Sequence, residues 1–194
     1  MGQEGLIRCL QAHSAARFKL FWCFQSSDEF TLLTEALSNE PHALDTTLFG
    51  LRSGHLAFDY DPITVDVLAA LYADEIESVA TSEPIILGGN CQGGMIAQEV
   101  ARELRNRGRS VGLTILMEQG QFKPMPGNVL LLFGARSYLN PYALLEAPEQ
   151  LFKQAYPDGF RIEMLPGGHG EYFRPQNVQV LAAAIKTQIK NFGE

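Results

Sequence analysis

The chain has 194 residues, a formal net charge of −7, 46% hydrophobic residues and 19% charged ones. That length gives one domain with a sizeable core, and the composition excludes a disordered chain. The acidic balance argues against a nucleic-acid partner, although a local basic patch could still dock an acidic carrier protein. Three cysteines, Cys9, Cys23 and Cys91, are too few and odd in number for a disulfide scaffold. They point to a reducing, cytoplasmic setting. No apolar run approaches a membrane span, and Met1-Gly2-Gln3-Glu4 lacks the pattern of a secretory signal.

Residues 1–17 read as an N-terminal tail or linker, with a short helix as the alternative, ahead of a domain at 18–194. Phe18 to Gln25 is apolar and aromatic, a buried strand. Phe30, Leu33 and Leu37 then fall at helical spacing, with Ser27 or Asp28 as the expected cap. Thr46 to Leu51 is a second strand and Arg52 to Asp61 a loop. Asp61-Pro62 opens a helix in which Ile63, Val67, Leu71 and then Leu68, Tyr72, Ile76, Val79 form the apolar face. Pro84 to Leu87 is a strand, and the helix after Cys91 carries Ile96, Val100 and Leu104. Its basic end, Arg102, Arg105 and Arg107, reads as a solvated last turn. Val111 to Met117 and Val129 to Phe133 are strands separated by the loop Gln119 to Asn128. Pro141 to Tyr156 is helical but broken by Pro148, Phe160 to Leu165 is the last strand, and Pro175 opens the last helix. Strands alternating with helices in this way build a mostly parallel sheet with helices on both faces. Active sites in such sheets lie at the carboxyl ends of the strands.

The centre of the chain is Gly89-Asn90-Cys91-Gln92-Gly93, a G-x-C-x-G between a strand and a helix. This is the spacing of the nucleophile elbow of α/β-hydrolases, with cysteine where serine is usual. The turn is tight, so the residues two before and two after the nucleophile must be small. The N–H of Gln92 is then available to an oxyanion, and the helix dipole favours a thiolate. Alone, the pattern also fits a glycine-rich turn around a buried structural cysteine.

Glu118 and His169 each follow a predicted strand, so Cys91, Glu118 and His169 all fall at the carboxyl edge. Their chain order is nucleophile, acid, base, that of α/β-hydrolases. A thiol that is mostly protonated at neutral pH needs an imidazole to take its proton, and a carboxylate fixes that imidazole's tautomer. Glu171 is a rival acid, while the strand ending Gly134-Ala135-Arg136-Ser137 offers no carboxylate until Glu146. His13, His42 and His55 fit no comparable position and read as surface or structural. No cluster has metal-ligand spacing, and the glycine turn lacks both a phosphate-loop Lys and a dinucleotide fingerprint. No bound cofactor is expected.

The run from Ile63 to Glu118 resembles type I thioesterase domains of nonribosomal peptide and polyketide synthases. Thr64, Leu68, Ala69 and Tyr72 match a Thr-x-x-x-Leu-Ala-x-x-Tyr helix before the elbow strand. Gly-Asn-Cys-Gln-Gly-Gly-Met-Ile-Ala-Gln-Glu-Val-Ala-Arg-Glu-Leu is similar to the family's elbow and following helix. Leu113 to Glu118 ends where that family places its acid, Pro166-Gly167-Gly168-His169 looks like its His loop, and Leu20–Phe24 fits its first strand. The resemblance covers most of residues 18–192. It implies an α/β-hydrolase fold and release of an acyl or peptidyl chain from the phosphopantetheine of a carrier protein. It also implies a second oxyanion N–H in the turn after the first strand, at Ser26.

Four departures stand out. Cysteine replaces serine, Glu replaces Asp, and Gln25-Ser26-Ser27 replaces a Pro-Gly-type turn. The loop Gln119 to Asn128 leaves no room for the family's helical lid, so an open site is expected, and such a site excludes water poorly. Attack of Cys91 on a thioester is near-isoenergetic exchange, and an acyl-cysteine reacts with amines more readily than an acyl-serine. Transfer to an amine or hydroxyl therefore stands beside hydrolysis. The alternatives are a cysteine hydrolase or acyltransferase similar to dienelactone hydrolases or polyester synthases, which place the acid after a later strand, and a non-catalytic carrier-docking module.

Overall fold

Along the first buried strand, Phe18, Leu20, Trp22 and Phe24 pack into one apolar cluster while Phe21 and Cys23 pack into another. Period-2 alternation with both sets apolar is what a central strand covered on both faces requires. The computed structural model describes residues 7–12, 16–38, 46–53, 61–82 and 84–193. His13, His42, His55 and residues 54–60 of the expected loop lie outside these. The first half of the chain comprises β1 (Ile7–Gln11), β2 (Phe18–Phe24), α1 (Ser27–Ser38), β3 (Thr46–Arg52), α2 (Pro62–Val79), β4 (Ile85–Asn90) and α3 (Gln92–Asn106). The second half comprises β5 (Val111–Met117), β6 (Asn128–Gly134), α4 (Pro141–Leu144), α5 (Pro148–Ala155), β7 (Phe160–Leu165) and α6 (Pro175–Gly193).

The strands form one sheet in the order β1-β3-β2-β4-β5-β6-β7. All neighbours are parallel except β1, which pairs antiparallel with β3. Residues 7–11 are therefore not part of a tail or linker: their backbone groups extend the sheet edge, with Ile7 opposite Leu51 and Cys9 opposite Phe49. One face of the sheet packs α2, α3 and α5 through Leu68, Ile76, Ile96, Val100 and Phe152. The other packs α1 and α6 through Leu33, Leu37, Leu181 and Ile185. β6 shows the same division, with Val129, Leu131 and Phe133 on the first face and Leu130 and Leu132 on the second.

Three local expectations change and one holds. On α2 the buried face is Val65, Leu68, Ala69, Tyr72, Ala73 and Ile76. Ile63, Val67 and Leu71 are instead exposed, at 77%, 57% and 46%. Two apolar stripes share this helix, and only the one meeting α3 and the sheet is covered. The expected break at Pro148 holds: it divides the 141–156 pattern into two short helices because its ring cannot continue the preceding turn. The cap of α1 is Ser26, whose Oγ accepts from Glu29 N at 3.2 Å, rather than Ser27 or Asp28. The basic end of α3 is tied down. Arg107 bridges Asp74, Glu77 and Glu103, and Arg105 donates to Val111 O at 3.0 Å.

The strand order places the switch point of the sheet between β2 and β4. From β2 the chain winds outward to β3, and from β4 it winds the other way through β5, β6 and β7. The crevice outside the carboxyl ends at such a point is where α/β sheets bind ligands. Here it is bounded by the β2–α1 turn and by the β4–α3 turn.

Candidate active site

The β4–α3 turn is shaped by backbone crowding. A Cβ on Gly89 would lie 2.4 Å from the carbonyl of Gly93, and one on Gly93 would lie 2.2 Å from Cys23 O. The helix start is thus pressed onto both its own strand and β2, which only glycine permits at the two positions. Between them Cys91 adopts φ 51, ψ −115. Its N–H donates to Met117 O at 2.8 Å. Its carbonyl accepts from Gly94 N at 3.0 Å, Met95 N at 3.2 Å and the Gln119 carboxamide at 2.7 Å. Such a non-glycine conformation costs of order 1–3 kcal/mol and persists only when its surroundings over-determine it. Cys91 is half-buried at the N-terminal end of α3.

Among the described residues, Glu118 is the other non-glycine residue with positive φ, at 56°. The bend turns its side chain inward at the end of β5, where it is 1% exposed. Its Oε2 meets His169 Nδ1 at 2.9 Å and accepts from Ser137 Oγ. Its Oε1 accepts from Gly134 N at 2.8 Å and from Tyr172 OH. Four donors around two oxygens satisfy a buried carboxylate, which would be costly otherwise. Burial, and then the neighbouring Glu118, push the Tyr172 phenol well above its ordinary range, so it stays a donor.

His169 sits in the loop between β7 and α6, with its side chain 30% exposed and its ring 4.9 Å from that of Tyr138. Glu118, not Glu171, is the carboxylate that meets it. Glu171 instead accepts from Gly168 N at 2.8 Å and pairs with Arg136 and Arg174. The Gly168 N–H, then Arg136, hold its carboxyl below the usual range.

In the β2–α1 turn, Gln25 N donates to Glu29 Oε2 at 3.2 Å, and the Gln25 carboxamide donates to Asn90 O at 3.0 Å. Ser26 N–H takes no partner among the described residues. The N–H of Gln92, in the first turn of α3, also lacks an intrahelical acceptor by helix geometry. Beside the turn lies a cavity of about 220 Å³, lined by Pro62 and Val65 of α2, Met95 and Gln98 of α3, and Gln119 and Gln121 of the following loop. Residues 118–127, between β5 and β6, contain no helix or strand. Among the described residues no group of three or more His, Cys, Asp or Glu is placed to hold a metal ion. Nor is any helix long and apolar enough to cross a membrane.

Cys91, Gln92, Ser26, Glu118 and His169 all lie at the carboxyl edge of the sheet, the last two in direct contact. Sequence reasoning missed Ser137, Tyr172, Gln119 and Glu29. Ser137 had one available signal. It follows β6 by three residues, in the stretch where an acid is otherwise expected, and its hydroxyl reaches Glu118 from that place.

The model of the thioesterase domain family matches residues 26–121. Orsellinic acid synthase ArmB of Armillaria ostoyae is 33% identical over 76 residues, which is 39% of this chain and 3% of that synthase. Two solved structures share the fold. The NocB thioesterase domain of the nocardicin cluster is 18% identical, with a TM-score of 0.69 over 91% of this chain and 95% of that one. YbtT, a type II thioesterase of the yersiniabactin pathway, is 16% identical, with a TM-score of 0.70 over 97% and 99%. From the β2–α1 turn through the elbow to the acid and the loop behind it, residues 26–121 of this chain are similar to the thioesterase domain family.

Proposed function

We propose that the protein is a thioesterase that takes an acyl or peptidyl chain from the phosphopantetheine thioester of a carrier protein through an acyl-cysteine at Cys91. The observation that carries this is the bonded pair His169 Nδ1–Glu118 Oε2, at 2.9 Å, on the sheet edge that also bears the strained Cys91 turn. With Nδ1–H held by the carboxylate, Nε2 is the basic nitrogen.

In the first step Nε2 takes the Cys91 thiol proton and Sγ attacks the thioester carbonyl. The C=O pair moves to oxygen, where the N–H groups of Gln92 and Ser26 meet it. Collapse expels the pantetheine thiolate, which takes the proton from His169. In the second step His169 removes a proton from water, an amine or a hydroxyl. That acceptor attacks the acyl-cysteine, and Sγ leaves as the thiol.

Two features set this reading against a dienelactone-hydrolase-like arrangement. The carboxylate on His169 comes from the end of β5, and the turn after β6 supplies the Ser137 hydroxyl instead. The loop 118–127 favours an open, lidless site, so the carrier and its chain themselves must exclude water. The chain spans a small fraction of the synthase it matches, so both a synthase domain and a stand-alone enzyme are compatible with this chemistry.

The test is intact mass spectrometry after mixing with an acyl N-acetylcysteamine thioester. The wild type gains one acyl mass, mapped to Cys91, and Cys91→Ala gains none. An adduct of the same yield on Cys91→Ala refutes the nucleophile.

A further inference from the structure

Glu29 has no part in the nucleophile–acid–base set, yet this residue is only 4% exposed and its carboxyl holds the β2–α1 turn. We propose that Glu29 is a positioning residue that orients the β2–α1 turn so that Ser26 N–H, not Gln25 N–H, faces the oxyanion. The proposal rests on the reading of Cys91 as nucleophile.

Ser26-Ser27-Asp28-Glu29 has the form of a capping box. In such a box the cap hydroxyl accepts from the third helical N–H, and the acid at that third position accepts from the N–H of the cap residue itself. Half of this holds here, since Ser26 Oγ accepts from Glu29 N. The carboxylate, however, has moved on by one residue. Glu29 Oε2 accepts from Gln25 N at 3.2 Å, and Oε1 accepts from Trp22 Nε1 at 3.3 Å. The N–H that a regular box would consume is the one left over.

The anchor is rigid. Trp22, whose indole N–H donates to the Glu29 carboxyl, is fully buried in β2. The Gln25 carboxamide closes the loop on Asn90 O. Gln25, held at its N–H by the buried Glu29 carboxylate, therefore links the two turns across the switch point of the sheet. An ordinary helix cap would place its acid in solvent. Here burial pushes the carboxyl up to about 7, against the pull of Trp22, Gln25 and Asn90.

The experiment compares two reactions of Cys91. Acyl transfer from an N-acetylcysteamine thioester develops an oxyanion, whereas alkylation by iodoacetamide develops none. Both are followed at Cys91 by peptide mass mapping, because Cys9 is also exposed. In Glu29→Gln the carboxamide turns an NH2 toward one of its donors. Its kcat for thioester turnover is expected to fall about 10- to 100-fold, short of the full loss of an oxyanion donor. KM is expected to change by less than about threefold, and the alkylation rate by less than about twofold. Glu29→Asp, which keeps the charge but draws it back by one methylene, shows the same split at smaller amplitude and serves if Glu29→Gln does not fold.

Equal losses in both reactions make Glu29 merely structural and overturn the proposal. So does wild-type turnover in either folded variant. Absence of an acyl-Cys91 adduct in the wild type removes the nucleophile and this proposal with it. An adduct in the wild type with unchanged turnover in Glu29→Gln removes the positioning role alone.

Discussion

Gly93→Ala isolates the steric requirement of the elbow. The new Cβ would sit 2.2 Å from Cys23 O and 3.1 Å from Cys23 C, where contacts under 3.0 Å are essentially never seen. The first turn of α3 must therefore retreat from β2 by at least roughly 0.8 Å, the difference between 3.0 and 2.2 Å. No flexible side chain can give way, because the obstacle is backbone in a central strand. Forcing a group into a packed core costs about 1–3 kcal/mol. The same retreat carries Cys91, two residues earlier, off its line of attack, and a shift of about 1 Å costs on the order of 100-fold in rate. Urea melts and single-turnover acylation by an N-acetylcysteamine thioester measure the two effects. Gly108→Ala is the control. Nothing lies within 4 Å of its Cβ, but its φ is +81, so only the backbone conformation is penalised. It should lose about 1–2 kcal/mol and acylate at the wild-type rate. If Gly93→Ala melts within about 0.5 kcal/mol of wild type and acylates normally, the close approach of α3 to β2 is not what shapes the site.

Glu118→Gln puts an NH2 among four donors and removes the charge that orients His169. It should lose about 1–3 kcal/mol of stability and on the order of 1,000- to 10,000-fold in thioester turnover, read by release of free thiol. Retention of more than about a tenth of wild-type turnover contradicts the role assigned to it. The raised carboxyl of Glu29 has its own pH signature. It moves from an ordinary 4.5 to about 7 on folding, so between those values the native state holds more proton than the unfolded chain. Stability from this group is thus full below pH 4.5 and is lost as pH rises toward 7, by about 3 kcal/mol in all. Urea melts of wild type and Glu29→Gln across that window should converge at low pH and diverge at neutral pH. A constant difference refutes the shift.

Much of the site could be seen in the chain because its constraints are local. The crowding at Gly89 and Gly93 arises within one turn, so the G-x-C-x-G spacing reports it directly. Cys91, Glu118 and His169 each end or follow a strand, and parallel connectivity brings all such positions to one edge. The errors arose where the deciding contact was distant. Ile63, Val67 and Leu71 have helical spacing as regular as that of Leu68, Tyr72 and Ile76, and nothing within α2 says which stripe the sheet will cover. Residues 7–11 carry only a weak strand signal, since their partner is β3, some forty residues on.

By itself the sequence determined the alternation of strands and helices, the small-residue elbow around Cys91 and the placing of Cys91, Glu118 and His169 at strand ends. Periodicity and short-range sterics are enough for these. Only the tertiary structure decided which carboxylate meets His169, because Glu118 and Glu171 differ in what surrounds them rather than in what they are. It alone brought Ser137 and Tyr172, 19 and 54 residues from Glu118 in the chain, onto that carboxylate. It alone moved the Glu29 carboxylate from the cap of its own helix to the N–H before it. Those choices depend on satisfying buried charge across elements distant in the chain, and that condition exists only once the sheet has closed.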